Sequence, residues 1–205
     1  ITVSGVKTPR VLLSREIVGK KILISNPVIN IFYTHTGKES SRNVPDKEIY
    51  EQVLGDLKMI KVDTLEITGA QIITSNLKTG KKNIELKNTF IRLTDVAVDS
   101  AAEEDKTRLL FSKQIFLSSE KIAWSSRNRL YTYSADSISL NSVSGSVAVK
   151  KFAIDPALKE EAFVKSLPAQ DDRFDFTINN IDVRRVNMQE LFNENIIADS
   201  ILIGA

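Results

Sequence analysis

The chain has 205 residues, 42% of them hydrophobic and 26% charged, with 28 Lys and Arg against 26 Asp and Glu for a formal net charge of +2. This is enough chain to bury a substantial core, its composition is that of a folded globular protein rather than a disordered one, and its interspersed, near-balanced charges exclude the strong basic field that nucleic acid requires. Cysteine is absent, which removes disulfides, thiolate nucleophiles and cysteine metal sites together, and no run approaches the ~18 apolar residues of a spanning helix.

Strand signals dominate from the first residues to the last. Period-two alternation appears at Ile22 to Ile24, Val28 to Tyr33, Ile60 to Val62, Leu65 to Ile67, Ile84 to Leu86, Phe90 to Val98, Ile115 to Leu117, Leu130 to Tyr133, Ile138 to Leu140, Val147 to Phe152, Phe174 to Val183 and Ile201 to Ile203. Helix is the minority. Asp46 to Lys58 follows Pro45 and places Ile49, Val53, Leu54 and Leu57 on one face; Pro156 to Ser166 has Asp155 as its expected cap; Met188 to Glu194 is a third. The chain opens in Ile1-Thr2-Val3 and closes in Ile201-Leu202-Ile203, both reading as strand interiors, so we expect one β-rich segment over 1–205 of a longer protein, with a soft boundary near 100–107.

A degenerate motif recurs: a small or apolar residue, two polar residues, an aliphatic, any residue, and another aliphatic. Its copies are Val62 to Ile67, Ala135 to Leu140, Ile178 to Val183 and Ala198 to Ile203, with looser versions at Gly19 to Ile24 and Ser112 to Leu117. The polar doublet breaks alternation. Ile60 and Val62 are even positions while Leu65 and Ile67 are odd, so strict alternation would send the two pairs to opposite faces. A bulge or bend at the doublet returns both pairs to one face and curves the strand; a tight turn is the alternative, disfavoured because Gly and Pro are missing from the doublets.

The predicted architecture is therefore mainly β: a long, strongly curved antiparallel sheet with two or three short helices, one aliphatic face and one polar face, or alternatively a β-sandwich. The residues alone favour a closed core over the aliphatic face. A sheet curled only partway would instead leave a groove for acyl chains, whose transfer from water is favourable by ~0.8 kcal/mol per methylene.

The motif copies, Arg108 to Phe111 leading into Ile115 and Leu117, the Leu130-Tyr131 strand, Phe152 to Pro156 and Asp172 to Phe174 resemble the periplasmic repeats of AsmA-like proteins of Bacteroidetes-type bacteria, from about Ile22 to the end of the chain. The resemblance implies a repeating β-groove of the kind seen in chorein-type lipid-transfer proteins, on the periplasmic face of the inner membrane. It also implies a membrane anchor and further repeats outside this segment, phospholipid or another acyl lipid as partner, and a role in outer-membrane biogenesis. On that reading Ile22, Ile24, Leu65, Ile67, Ile115, Leu117, Ile138, Leu140, Ile181 and Val183 face the lipid. The alternative is a structural or protein-interaction β module of an envelope assembly with no ligand.

Residues for other chemistry do not assemble into a site. His35 is the single histidine, with no G-x-S-x-G elbow and no second imidazole, and reads as a strand-end residue. Asp95, Asp99, Glu103, Glu104 and Asp105 lack the glycine turn and ligand alternation of a calcium loop and read as a solvated loop; Asp171, Asp172 and Asp175 read as a charged linker. Lys81-Lys82, Arg127 with Arg129, and Arg184-Arg185 read as solvated strand ends, and Thr79 to Lys82 as a hairpin turn. Trp124, Tyr131 and Tyr133 read as packing aromatics. No cofactor, metal or enzymatic activity is expected.

Overall fold

The computed structural model describes residues 2–5, 14–33, 54–77, 82–126, 128–167, 172–193 and 195–204. Ten strands form one open sheet: β1 (Thr2–Ser4), β2 (Glu16–Ser25), β3 (Val28–Tyr33), β4 (Met59–Asn76), β5 (Lys82–Val98), β6 (Gln114–Ser125), β7 (Tyr131–Asn141), β8 (Ser146–Pro156), β9 (Phe176–Arg184) and β10 (Ser200–Ile203). The order is β1-β2-β4-β5-β6-β7-β8-β9-β10, with β3 also on β4. One long curved sheet is thus the architecture, not a sandwich of two. β5 and β6 pair across the connection at 100–107, so the sheet runs through the soft boundary placed there.

From β4 to β10 the sheet is an antiparallel meander, but β2 and β3 run parallel to β4, a departure from the wholly antiparallel expectation. Glu16 lies opposite Met59 and Val28 opposite Gln71, the same offset, so β2 and β3 form one long strand interrupted at Asn26-Pro27. Pro27 has no N–H with which to continue a ladder. The gap is bridged by Asn26 N donating to Thr68 O at 2.7 Å and Gln71 N donating to Pro27 O at 2.9 Å.

Two lines of bends cross the sheet. On one, Val62 opposes Val96 and Thr64 opposes Thr94 while Asp63 and Asp95 are skipped; on the β2 side Gly19 and Lys21 are paired and Lys20 is skipped. On the other, Lys87 opposes Lys121 and Thr89 opposes Ser119, skipping Asn88 and Glu120, and the same break continues through Ser137, Lys150 and Asn180. Each strand carries its extra residue at the same place, so the register from β5 to β9 is identical on both sides of the break. Only β4 and β5 show register shifts, two beside Gly69 and one near the end of β4 between Thr74 and Ser75.

Left-handed backbone marks these lines. Asp95 (φ 53°) lies on the first, and Asn26 (50°), Gly69 (64°), Asn88 (45°), Ser137 (51°) and Asn180 (52°) lie on the second. Asn and Gly are the residues that enter this region at least cost. Five of the six motif doublets fall on the two lines: Lys20-Lys21, Asp63-Thr64 and Lys113-Gln114 on the first, where β6 begins, and Asp136-Ser137 and Asn179-Asn180 on the second; the sixth, Asp199-Ser200, opens β10 level with Glu66 and Arg92, two residues inside the first line. Two consecutive side chains on one face lengthen that face, so the sheet curves toward the other. The doublets are polar and outward. The aliphatic face is therefore the inside of the curve.

Short helices and connections cover the ends. α1 (Ser100–Glu104) is capped by Asp99, whose Oδ1 accepts from Ala102 N at 2.8 Å, so part of the acidic stretch expected as a loop is a helical turn. α2 (Glu160–Ser166) begins later than expected because Pro156 ends β8 opposite Tyr131; Lys159, not Asp155, occupies the cap position. Its Phe163 is buried against the Tyr131 ring at 5.4 Å. The Tyr131 hydroxyl donates to Asp172 O and accepts from Phe174 N, tying the β8–β9 connection to the same end. α3 (Met188–Phe192) is capped by Asn187 and buries Met188. Of the helix expected over Asp46 to Lys58, residues 46–53 lie outside the described residues, and Leu54 to Lys58 form a turn held by Leu57 N on Leu54 O. No helix among the described residues is long and apolar enough to cross a membrane.

The bend lines predict opposite signs for two small substitutions. Ser137→Gly relieves an L-residue of its left-handed backbone and should raise the urea midpoint, whereas Gly69→Ala should lower stability by more than ~1 kcal/mol. A Cβ at Gly69 would also collide with the Asn26 amide oxygen. Equal effects on the two midpoints would show that the backbone of these lines is not what the structure describes.

Candidate functional site

Residues directly opposed across strands share a face, and the pairings build the inner face as a set of ladders. The longest is unbroken across eight strands: Ile24, Ile67, Ile91, Leu117, Leu140, Val147, Val183 and Ile201. Beside it lies Ile22, Leu65, Leu93 and Ile115. On its other side lies Ile138, Val149, Ile181 and Ile203. All ten residues expected to face a lipid fall in these three adjacent ladders. Ile91, Leu93, Val147, Val149, Ile201 and Ile203 complete them; the first four lie in strands without a motif copy, although their parity relative to the doublets places them on the same face, and the last two close the copy at the end of the chain.

Beyond the second bend line the inner face turns aromatic. Ile72, Leu86, Ile122, Ala135, Phe152 and Ile178 form one ladder, and Ile84, Trp124, Tyr133, Ile154 and Phe176 the next. The Trp124 and Tyr133 rings stack at 5.4 Å, and Phe152 lies 6.1 Å from Trp124 and 6.5 Å from Phe176. The expected packing aromatics thus form one band, closed at its end by Tyr131 and Phe163. None of these ladder positions carries a charge.

The face is only partly covered. Of the ten candidate residues Ile115 alone is fully buried, at 3% exposure, and the other nine are half-buried. At the free edge Ile201 and Ile203 are exposed. Several of the fully buried positions lie near the bend lines or under the end covers, such as Val62, Ala70, Val96, Val98 and Phe163. The eight strands of the long ladder are separated by seven spacings of ~4.8 Å, which give the groove a length of about 34 Å along the bend lines, more than the roughly 30 Å hydrocarbon thickness of a bilayer.

One polar pair interrupts the apolar lining at the second bend line. Thr89 and Ser119 are buried at 0% and 3% exposure and lie 3.1 Å apart through their hydroxyls. Ser119 Oγ also donates to Lys87 O at 3.0 Å and approaches Lys121 O at 3.2 Å, carbonyls that flank the skipped pair Asn88 and Glu120. Small side chains fit the compressed inner side of a bend, and their hydroxyls answer carbonyls left beside it.

The outer face is ionic. Glu66 accepts from Lys21 and, at 2.8 Å, from Arg92, while Arg92 caps the Phe90 ring at 5.2 Å. The Lys21 hydrogen bond, opposed by desolvation and reinforced by Arg92, holds the Glu66 carboxyl below its usual range. At Asp95, desolvation is outweighed by Arg108 and Lys113, which also lower its pKa. Asp105 takes its hydrogen bond from Thr107 and pairs with Arg108 at 3.3 Å. The acidic stretch therefore fixes the β5–β6 connection through ion pairs and caps, and no group of metal-ligating side chains occurs among the described residues. His35, Lys81, Arg127 and Asp171 lie outside them.

Two outcomes follow from this geometry. Ser119→Ala leaves buried groups without a partner and should cost about 1–3 kcal/mol by chemical denaturation, while outward Ser118→Ala should be nearly silent. Because Glu66 is depressed in the folded state, its contribution is present above the ordinary value of 4.5 and is lost as pH falls through the lowered folded value. Glu66→Gln should therefore flatten the acid limb of the stability profile, and an unchanged limb would contradict the Lys21–Glu66–Arg92 assignment.

No protein-family model, curated protein or solved structure matches this chain, so its own geometry carries the functional reading.

Proposed function

We propose that this chain is a non-enzymatic lipid-handling segment of a bacterial envelope protein of the AsmA-like kind, in which acyl chains lie along the inner face of the curved sheet. The observation that carries the reading is the uncharged, half-exposed aliphatic ladder that crosses eight strands without interruption. A monomer left in water with such a face forgoes apolar burial along its length, and acyl chains recover it at ~0.8 kcal/mol per methylene. The resemblance supplies the setting: the periplasmic face of the inner membrane, with anchor and further repeats elsewhere in a longer protein and a role in outer-membrane biogenesis.

A second reading, a β module that joins other strands, has its own support. β10 exposes Ile201, Leu202 and Ile203 at 57%, 44% and 63%, and no charge, proline or bulge guards that edge. The two readings are compatible, since a strand added at β10 lengthens the groove.

Native mass spectrometry of the chain purified without detergent, followed by denaturing extraction, separates them. The lipid reading expects bound phospholipid or fatty acid that is lost in Leu117→Asp and Leu140→Asp and retained in outward Ser118→Asp, with circular dichroism confirming that each variant folds. A folded chain that carries no acyl lipid and takes up no fluorescent fatty acid would leave only the strand-joining module.

A further inference from the structure

On the outer face, two lysines and a single carboxylate meet at the second bend line. Along the second bend line, the doublets of β7, β8 and β9 sit side by side: Asp136-Ser137, Lys150-Lys151 and Asn179-Asn180. Asp136 opposes Lys151, which opposes Asn179, and the skipped residues Ser137, Lys150 and Asn180 form the adjoining row. These six residues line an open cleft of about 450 Å³. The bend turns both lysines of β8 outward together, an arrangement that is unfavourable between two like charges and favourable around an anion.

Elsewhere on this face several cations have carboxylate partners, although Lys20, Lys61, Lys87 and Arg184 have none within 4.0 Å among the described residues. Lys21 pairs with Glu66, Lys113 with Asp95 at 3.5 Å, and Lys121 with Asp136 at 3.7 Å. Lys150 and Lys151 have no carboxylate within 4.0 Å among the described residues, and the single carboxylate in the block, Asp136, already faces Lys121 on its other side. The cleft is rich in donors: two ammonium groups, two side-chain amides and a hydroxyl, set at cross-strand spacing around one volume.

We propose that this cleft binds a phosphate-bearing anion, with Lys150 and Lys151 supplying the charge and Asn179, Asn180 and Ser137 orienting the oxygens. A tetrahedral oxyanion accepts from several convergent donors at once, and lysine is a common partner for phosphate. The volume exceeds that of a lone phosphate and has room for an ester substituent. The phosphate is that of a soluble ester or of a lipid headgroup, and the site stands on the face opposite the apolar groove, independent of whether that groove holds lipid.

The test titrates the full chain with inorganic phosphate and with glycerol phosphate at constant ionic strength, following the side-chain amide resonances of Asn179 and Asn180, with chloride as the control. Saturable shifts are expected, weakened by roughly tenfold in the K150Q/K151Q double variant, as the loss of charge-assisted contacts demands. The lysines are exposed, so the variant should keep the wild-type spectrum away from the cleft. Sedimentation with phosphatidylcholine vesicles, with and without phosphatidic acid, identifies the source. Lysine-dependent binding to the acidic vesicles assigns the site to a headgroup, and saturable titration without vesicle binding assigns it to a soluble phosphate ester. Overturning results are a chloride response equal to that of phosphate, a double variant that titrates and sediments like wild type, or neither saturable titration nor vesicle binding.

Discussion

An extra residue inserted into one strand of a regular sheet makes a bulge; inserted into every strand at the same level, it makes a fold line. This coincidence governs the whole molecule. Across Asn88, Glu120, Ser137, Lys150 and Asn180 the pairing skips one residue on both sides and resumes in the same register. Hydrogen-bonded pairing therefore survives the bend, and aliphatic side chains on the two flanks return to one face. Because the doublets project outward and are polar, curvature and amphipathicity have the same cause, and the apolar face becomes the concave one.

A single curved layer has no second sheet to fill its core, so its stability rests on neighbours within the layer. The inner ladders supply aliphatic contacts between every adjacent pair of strands, each worth about 0.2–1 kcal/mol relative to alanine. The outer face adds the Lys21–Glu66–Arg92 row, with Arg92 over Phe90 and Phe90 against Phe116 at 5.8 Å. The ends are closed by connections: Phe163 and Tyr131 at one, and at the other the ion-paired 105–113 segment, to whose Lys106 carbonyl Gln189 of α3 donates. The middle of the groove is left partly open, and there the chain has unburied apolar surface available for a ligand.

The repeat and its parity switch were legible in the sequence because they are local: even and odd aliphatic positions on either side of a polar pair allow only a bend or a turn if one face is to be kept. That logic placed Leu65 with Ile67, Ile138 with Leu140, and Ile181 with Val183 on one face before any pairing was known. The parallel pairing of β2 and β3 was not legible, because it depends on a crossover and on the equal offsets of Glu16 with Met59 and Val28 with Gln71, which are non-local facts. The start of α2 was misplaced because a proline after an aspartate signals a helix start, while here Pro156 fits the last pairing position of a strand. The lysine cleft was not legible because Lys150-Lys151 has no motif copy around it, and only the register brings it beside Asn179 and Asp136.

The central claim is that the concave face is open in the native protein. The chain has no cysteine, which makes single-cysteine labelling direct. Leu117→Cys and Leu140→Cys place a thiol in the middle of the long ladder, Lys151→Cys provides an exposed reference, and Val62→Cys, at a position 2% exposed, a sealed one. In the delipidated protein under native conditions the first two should react with a small maleimide at rates near that of the Lys151 variant, and the Val62 variant only after denaturation. Protection of Leu117→Cys and Leu140→Cys equal to that of Val62→Cys would mean that the face is a filled core, and the account would be wrong.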